Sequence, residues 1–369
     1  MVGPATAIRS VGWIDPDVVE AACLAHDIGH PPFGHIAEQE LQTSLSAAGA
    51  DSFEGNAQSF RIVTKLAIVG IANSEYLTGL NLTRATLRAI LKYPWLYNEP
   101  SAAPKSSTKW GAYHSEASEM TFALKGSAPN QRSVEAQIMD WADDITYAVH
   151  DIEDFYRFGL IPLHELGTNT PALRNFTKYV LDENPDWESQ DPEATMRRLG
   201  IFFPSSVYGD SPYDRGELHN FASELITRCF NAVTLSGAAM QIDPQARFEV
   251  DLLKRLIWYY VINRPSLAAI QLGQRRIVRD LYDHLKTIAD RAETSAQFSM
   301  RLPARLRDQI TMAQRDRAAL ASVNGNLSVL RARAVADFIG TLTENQAYAL
   351  NDLFGGDPAA AKQLPLWLG

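Results

Sequence analysis

Leu24-Ala25-His26-Asp27-Ile28-Gly29-His30-Pro31-Pro32-Phe33-Gly34-His35 decides the reading of this chain. Three histidines and an aspartate fall where a helix ends and a turn begins. Upstream, Asp15-Pro16-Asp17 supplies an N-cap, a proline for the first turn and an acid near the positive helix end. Val18, Val19, Ala22, Cys23 and Ala25 keep a helical period, and Gly29 with Pro31-Pro32 stops it. A second helix is expected to start near Gly34 and to carry His35, Glu38 and Leu41. Neighbours such as His26 and Asp27 cannot share a helix face, but at a helix end they can converge on one ion. A neutral imidazole beside a carboxylate suits a divalent first-row metal acting on a phosphate group. His35 and Glu38, three apart, share a face, and a carboxylate that orients an imidazole makes a general acid or base. His30 is either a further polar wall of the same pocket or a cap on the helix C-terminus. A solvated helix end would explain one His-Asp pair; it does not explain His30, His35 and Glu38 gathered around the same turn.

Two further stretches carry chemistry. In Asp140-Trp141-Ala142-Asp143-Asp144-Ile145-Thr146-Tyr147-Ala148-Val149-His150-Asp151, the residues Asp143, Tyr147 and Asp151 form a slowly drifting stripe on one helix face. Carboxylates at that spacing repel, and a half-buried helix carries them at a cost that a bound cation resolves. Spacing alone does not separate Asp143 from Asp140 or Asp144 as a ligand. Phe53-Glu54-Gly55-Asn56-Ala57-Gln58, followed by Arg61, offers amide donors for sugar hydroxyls or phosphate oxygens, and a turn leading into a helix explains it equally well.

The rest of the chain bounds the class. It has 369 residues, 46% hydrophobic and 21% charged, enough for a large core. A net charge of −9 argues against a duplex-coating protein, while nucleic acid at a local basic pocket stays open. Two cysteines, Cys23 and Cys229, fit a reducing cytoplasm rather than a disulfide framework. No apolar run reaches the length of a membrane span. The pattern is all-α. Helices are expected from Asn81-Leu82-Thr83 to Pro94, from Ser133 through Ile152, and over 171–182, 192–200, 215–235, 247–262, 266–291, 302–320 and 327–342. Residues 97–112 read as a loop. Strand-like alternation is confined to Ile201–Val207 and Ala232–Ile242, which suggest one short hairpin. Leu256–Ile262 reads as core.

With these motifs in order, the chain resembles the HD-domain deoxynucleoside triphosphate triphosphohydrolases of the dGTPase type. The His26–Glu38 motif and the Asp143 motif are the specific ones. Phe53–Gln58, Leu82–Leu87, Leu91–Trp95, Lys109–Glu116 and Asp337–Thr343 support them. The resemblance implies an HD-domain helical bundle over residues 1–165 and a helical C-terminal region over 166–369. It implies His26, Asp27 and Asp143 as ligands of a divalent metal (Mn, Mg, Fe, Co or Ni), and His35 with Glu38 as the catalytic pair, with His30 beside them. Tyr147 and Asp151 match positions near the deoxyribose 3′-hydroxyl, and Asn56, Lys109 and Tyr113 fall in motifs lining the nucleotide pocket. The implied reaction is hydrolysis of a dNTP to deoxynucleoside and intact triphosphate, with water attacking the α-phosphorus and His35 protonating the departing 5′-oxygen. A dNTP effector and a homo-oligomer are also implied.

Departures from the family pattern carry an expectation of their own. The family's first metal ligand is a histidine ahead of the His-Asp pair, and no histidine precedes His26. Val2-Gly3 resembles the tail of that missing helix, and Pro4 would break it. A start too late in the gene is expected, with metal affinity and activity impaired. Thr343-Glu-Asn-Gln-Ala stands where the family more often has an Asp-Arg pair. Other readings of the residues are a different HD-type phosphohydrolase, acting on a monophosphate or a single-stranded nucleic-acid end, and a non-catalytic nucleotide-binding subunit.

Overall fold

A computed structural model describes residues 14–72, 75–102, 104–236, 239–315 and 326–364. The readings of Val2-Gly3 and Pro4, and of a helix continuing over 316–320, lie outside the described residues.

The N-terminal elements are α1 (Pro16–Ala25), α2 (His35–Ala47) and α3 (Gly55–Arg61), then the hairpin β1 (Ile68–Ala72) and β2 (Glu75–Thr78). After it come α4 (Arg84–Ile90), α5 (Ala117–Leu124), the long α6 (Val134–Arg157) and α7 (Leu163–Leu166). Next are α8 (Pro171–Glu183), α9 (Pro192–Leu199), α10 (Pro212–Asn231), the hairpin β3 (Val233–Ser236) and β4 (Ala239–Ile242), and α11 (Pro244–Ile257). The chain closes with α12 (Pro265–Ala292), α13 (Ala296–Met300), α14 (Ala304–Arg315), α15 (Leu327–Gly340) and α16 (Glu344–Phe354).

Helix starts follow local chemistry. The side chains of Asp15, Thr83, Thr170, Asp191, Asp243 and Asn326 each accept a backbone N–H of the helix they open. Ser133 does the same for α6 through Ala136 N–H at 3.1 Å. Thr343 forms a reciprocal capping box with Gln346, so the segment that departs from the family pattern is a well-made helix start.

The fold is mostly helical, as expected, with two small antiparallel hairpins. The segment 232–242 pairs within itself, Val233 opposite Ile242 and Ser236 opposite Ala239. Ile201–Val207 is not its partner: it is a 3₁₀ turn and irregular chain after α9. The β1–β2 hairpin, α5 and α16 were not legible, since each is short and weakly periodic. α11 ends at Ile257 in a π-helical turn, Trp258–Ile262, which buries Val261 but leaves Trp258 exposed. Cys23 and Cys229 are not joined in a disulfide. Among the described residues no helix is long and apolar enough to cross a membrane.

Two compact bodies emerge. One comprises residues 15–136 and 270–369; the other comprises residues 137–269 with residue 14. The boundaries fall inside α6 and α12, whose length carries the chain out of one core and into the next. The first body packs Leu41 and Leu45 of α2 with Phe53, and with Val278, Leu281 and Leu285 of α12 and Val335 and Phe338 of α15. The second packs Trp141 and Ile152 of α6 with Phe176, Leu218, Phe221, Leu252 and Leu256. Each such side chain stabilises its body by about 1.5–3 kcal/mol.

Candidate metal and catalytic centre

α1 ends at Ala25, and residues 26–29 turn the chain so that His26, Asp27 and His30 gather at its tip. The turn is pinned to α3. Gly29 N–H donates to Ser59 Oγ at 2.9 Å, and that hydroxyl donates to His26 O at 2.7 Å. A Cβ on Gly29 would lie 2.2 Å from Ser59 N and 2.3 Å from Gly55 O, so only glycine allows this approach. Phe33 and Gly34 then reverse the chain with φ of 68° and 57°. A phenylalanine there costs about 1–3 kcal/mol of backbone strain. Its ring is held by burial against the α2–α15 core and by an edge-on contact with Tyr348 at 5.1 Å.

The donor set at the helix end fits a divalent metal. His26 Nδ1 lies 2.7 Å from Cys23 O; because a carbonyl only accepts, Nδ1 carries the proton and Nε2 is the lone-pair nitrogen of the neutral ring. That Nε2 sits 3.1 Å from Asp27 Oδ2, close enough for both atoms to reach one ion at about 2.0–2.2 Å. Asp27 Oδ1 is 3.3 Å from His30 Nδ1. His30 in turn meets His35 edge-on, with ring centroids 5.4 Å apart, and so joins the helix end to the pair that follows.

His35 Nδ1 lies 2.7 Å from Glu38 Oε2. His35 is largely exposed, while Glu38 is buried and held from its other side. Gly55 N–H donates to Glu38 Oε1 at 3.1 Å, and Lys109 Nζ stands 3.5 Å from the same oxygen. Burial alone would raise the Glu38 carboxyl; the hydrogen bond from His35 and the charge of Lys109 overcome this and bring it down to about 2. The same hydrogen bond raises His35 above its ordinary 6.5 against the opposing effect of burial. His30, His35 and Glu38 each offer a ligand atom within 4.8 Å of the others. Both oxygens of Glu38 are nevertheless committed, and the Lys109 ammonium repels a dication there, so this trio is built to hold a proton rather than a metal. His26 and Asp27 belong to a separate group of histidine and carboxylate side chains suited to an ion.

Lys109 is anchored by Glu54, with Nζ–Oε1 at 2.9 Å. Glu54 is the hub that the sequence did not mark. It caps α3 through Ala57 N–H at 3.0 Å and accepts Asn56 Nδ2 at 2.9 Å. Asn56 and Lys109 therefore share one buried carboxylate. Tyr113 lies beneath them, fully buried, its hydroxyl 3.2 Å from both Glu54 O and Gln58 Oε1. That makes Tyr113 a support of Glu54. Gln58 and Arg61 are buried as well and are committed inward, to Asp337. The sugar- or phosphate-binding reading of the Gln58 amide is thereby corrected.

Asp143, Tyr147 and Asp151 lie on α6 within residues 137–269. There Asp144 is paired with both Arg247 and Lys254, so its charge is already balanced by protein. Those cations also cover aromatic faces, Arg247 over Trp141 at 4.6 Å and Lys254 over Tyr147 at 5.8 Å. Asp143 is half-buried. Burial raises the Tyr147 phenol, with a smaller push from Asp151; it also raises the Asp151 carboxyl, helped by Asp154.

Comparison with known proteins identifies the family. The HD domain matches residues 6–148, and the phosphohydrolase-associated domain matches residues 240–352. A deoxyguanosinetriphosphate triphosphohydrolase-like protein of Streptomyces coelicolor is 34% identical over 361 residues, covering 93% of this chain and 79% of the relative. Proteins of the same description in Corynebacterium efficiens (35% over 289 residues, 74% and 67% covered) and Bifidobacterium longum (31% over 370 residues, 94% and 72%) are also similar. Fold, motif and relatives together show that the chain belongs to the HD-domain superfamily, in the family of deoxyguanosinetriphosphate triphosphohydrolase-like proteins.

Proposed function

We propose that this protein is a metal-dependent triphosphohydrolase that converts a dNTP, of the dGTP type, to deoxynucleoside and triphosphate. The observation that carries the reading is the adjoining of two different devices on one turn: the His26–Asp27 donor pair and the His35–Glu38 proton-holding pair. Residues 1–165 would supply the phosphohydrolase core and 166–369 the further helical region. His26 and Asp27, with Asp143 as third ligand by family pattern, would hold a divalent ion such as Mn or Mg. When bound, the ion lowers the pKa of water and polarises a phosphoryl oxygen. As a water oxygen bonds to the α-phosphorus and releases a proton to solvent, the bond from that phosphorus to the 5′-oxygen breaks, and His35, held protonated by Glu38, gives its proton to the 5′-oxygen. Lys109 balances the charge of Glu38 and lies ready for phosphate oxygens, and Asn56 offers its amide beside it. Tyr147 and Asp151 are assigned to the deoxyribose 3′-hydroxyl. A dNTP effector and a homo-oligomeric, cytoplasmic protein complete the proposal.

Metal removal tests it. Dialysis against a chelator is expected to abolish hydrolysis of dGTP, and Mn²⁺ or Mg²⁺ to restore it. Asp27→Ala is expected to lose Mn²⁺ binding by calorimetry while keeping a wild-type circular dichroism spectrum, because Asp27 is more than half exposed. Full activity after chelation would overturn the proposal.

A further inference from the structure

Lys109 stands between two carboxylates and is shared unequally. Its Nζ lies 2.9 Å from Glu54 Oε1 and 3.5 Å from Glu38 Oε1. Both acids are buried, Glu54 completely, while Lys109 is half-buried. The main chain of Lys109 is fixed as well, because Trp95 Nε1–H donates to its carbonyl at 2.7 Å. Glu54 is held more firmly still. Its Oε2 accepts Ala57 N–H at 3.0 Å, its Oε1 accepts Asn56 Nδ2 at 2.9 Å, and its own N–H donates to the Tyr113 hydroxyl at 3.3 Å. His35, Glu38, Lys109 and Glu54 thus form a row of alternating charge that runs from an exposed imidazole to a fully buried acid. Capping α3 does not account for that buried acid, since an uncharged side-chain oxygen accepts a helix N–H as well. A carboxylate wholly out of water needs a cation, and among the described residues Lys109 is the cation paired with Glu54.

We propose that Glu54 is a positioning residue: it draws Lys109 away from Glu38 and so leaves Glu38 to hold the proton of His35. An ammonium closed onto Glu38 would compete with His35 for that carboxylate and repel the imidazolium. Set back by Glu54, it steadies the buried Glu38 without taking it from His35. The titratable groups facing His35 are Glu38, Lys109, Glu54 and the ring of His30; those facing Lys109 are Glu54, Glu38 and the Tyr93 phenol. Glu38 and Glu54 favour the protonated form of His35, and Lys109 opposes it. This role of Glu54 rests on the proposed reaction for the use made of the His35 proton, but the hold on that proton is measurable without turnover.

An NMR titration of the histidine rings in the Mg²⁺-loaded chain tests it, with the His35 signal assigned by its loss in His35→Ala. In E54Q the amide oxygen keeps the Ala57 cap, and Lys109 is released towards Glu38. The His35 midpoint is expected to fall by about 0.5–1 pH unit, and the alkaline limb of dGTP hydrolysis to move with it. The unfolding midpoint checks that the variant folds. In E54Q/K109M the ammonium is gone too, and the His35 midpoint is expected to return to the wild-type value or to rise above it. A merely structural Glu54 predicts no such reversal. An unchanged His35 midpoint in folded E54Q, or a double variant as low as E54Q, overturns the proposal. Should E54Q fail to fold, a midpoint below wild type in E54Q/K109M overturns it equally. Shifts of the expected sign in a chain that does not hydrolyse dGTP would support the placement of Lys109 by Glu54 and overturn the reaction instead.

Discussion

His35→Ala is expected to lower kcat for dGTP hydrolysis by about 10²–10⁴-fold, the usual contribution of a positioned general acid. KM and the unfolding midpoint should change little, because His35 is largely exposed and supports no core. The pH profile follows from the pair. His35 is raised above 6.5 by its hydrogen bond to Glu38, so the proton-donating form persists to higher pH than in an ordinary histidine. Activity therefore falls as pH rises through that raised value, which lies above 6.5. Glu38, at about 2, stays ionised throughout the assay range and adds no acid limb. Glu38→Gln removes both the hydrogen bond's ionic character and the charge, and should move the alkaline limb to lower pH. The same pair contributes to stability with two signs. The His35 contribution is present below about 6.5 and lost as pH rises through its folded value; the Glu38 contribution is present above 4.5 and lost as pH falls towards about 2. Equal kcat in His35→Ala would remove the proton-transfer role.

Asp337→Ala is expected to destabilise the body that contains it by about 3–5 kcal/mol, the cost of leaving a buried charge uncompensated. Asp337 is fully buried on α15 and accepts from Gln58 Nε2 and Arg61 Nε, both at 3.0 Å. Arg61, also buried, would keep Glu116 at 2.6 Å, a carboxylate that Lys65 approaches as well, and would lose its ion pair to Asp337. The unfolding midpoint should fall by roughly 6–20 °C for a body of this size. The loss should reach the site, because Gln58 and Arg61 belong to α3, whose cap Glu54 anchors Lys109 and whose Ser59 pins the turn of His26. A heat-induced unfolding curve unchanged in Asp337→Ala would contradict this.

What was legible in the sequence was what neighbours in sequence can do for each other. The caps at Asp15, Thr83 and Ser133, the stop after Ala25 and the His35–Glu38 pairing all lie within four residues, and the structure shows each of them. What was hidden depends on partners far along the chain. Asp140, Asp143 and Asp144 look alike until Arg247 and Lys254 take Asp144 from more than 100 residues away. The Gln58 amide suited a ligand as well as a helix start, and only the approach of Asp337 turns it inward, together with Arg61. Tyr113, placed near the nucleotide only by the family resemblance, has its hydroxyl taken up under Glu54, a contact 59 residues away that local sequence does not show. Glu54 itself carried a faint signal, an acid directly ahead of Gly55-Asn56-Ala57, where a helix start needs an acceptor. The β1–β2 hairpin had none, since five- and four-residue strands with a bulge show too little alternation to read.

Product identity tests the proposed reaction most directly. The chain is incubated with dGTP and Mn²⁺, and the products are separated by anion-exchange chromatography. Deoxyguanosine and intact triphosphate in equal amounts, both lost in His35→Ala, is the expected result. Deoxyguanosine monophosphate with pyrophosphate, or inorganic phosphate alone, would place the broken bond elsewhere in the triphosphate and contradict it.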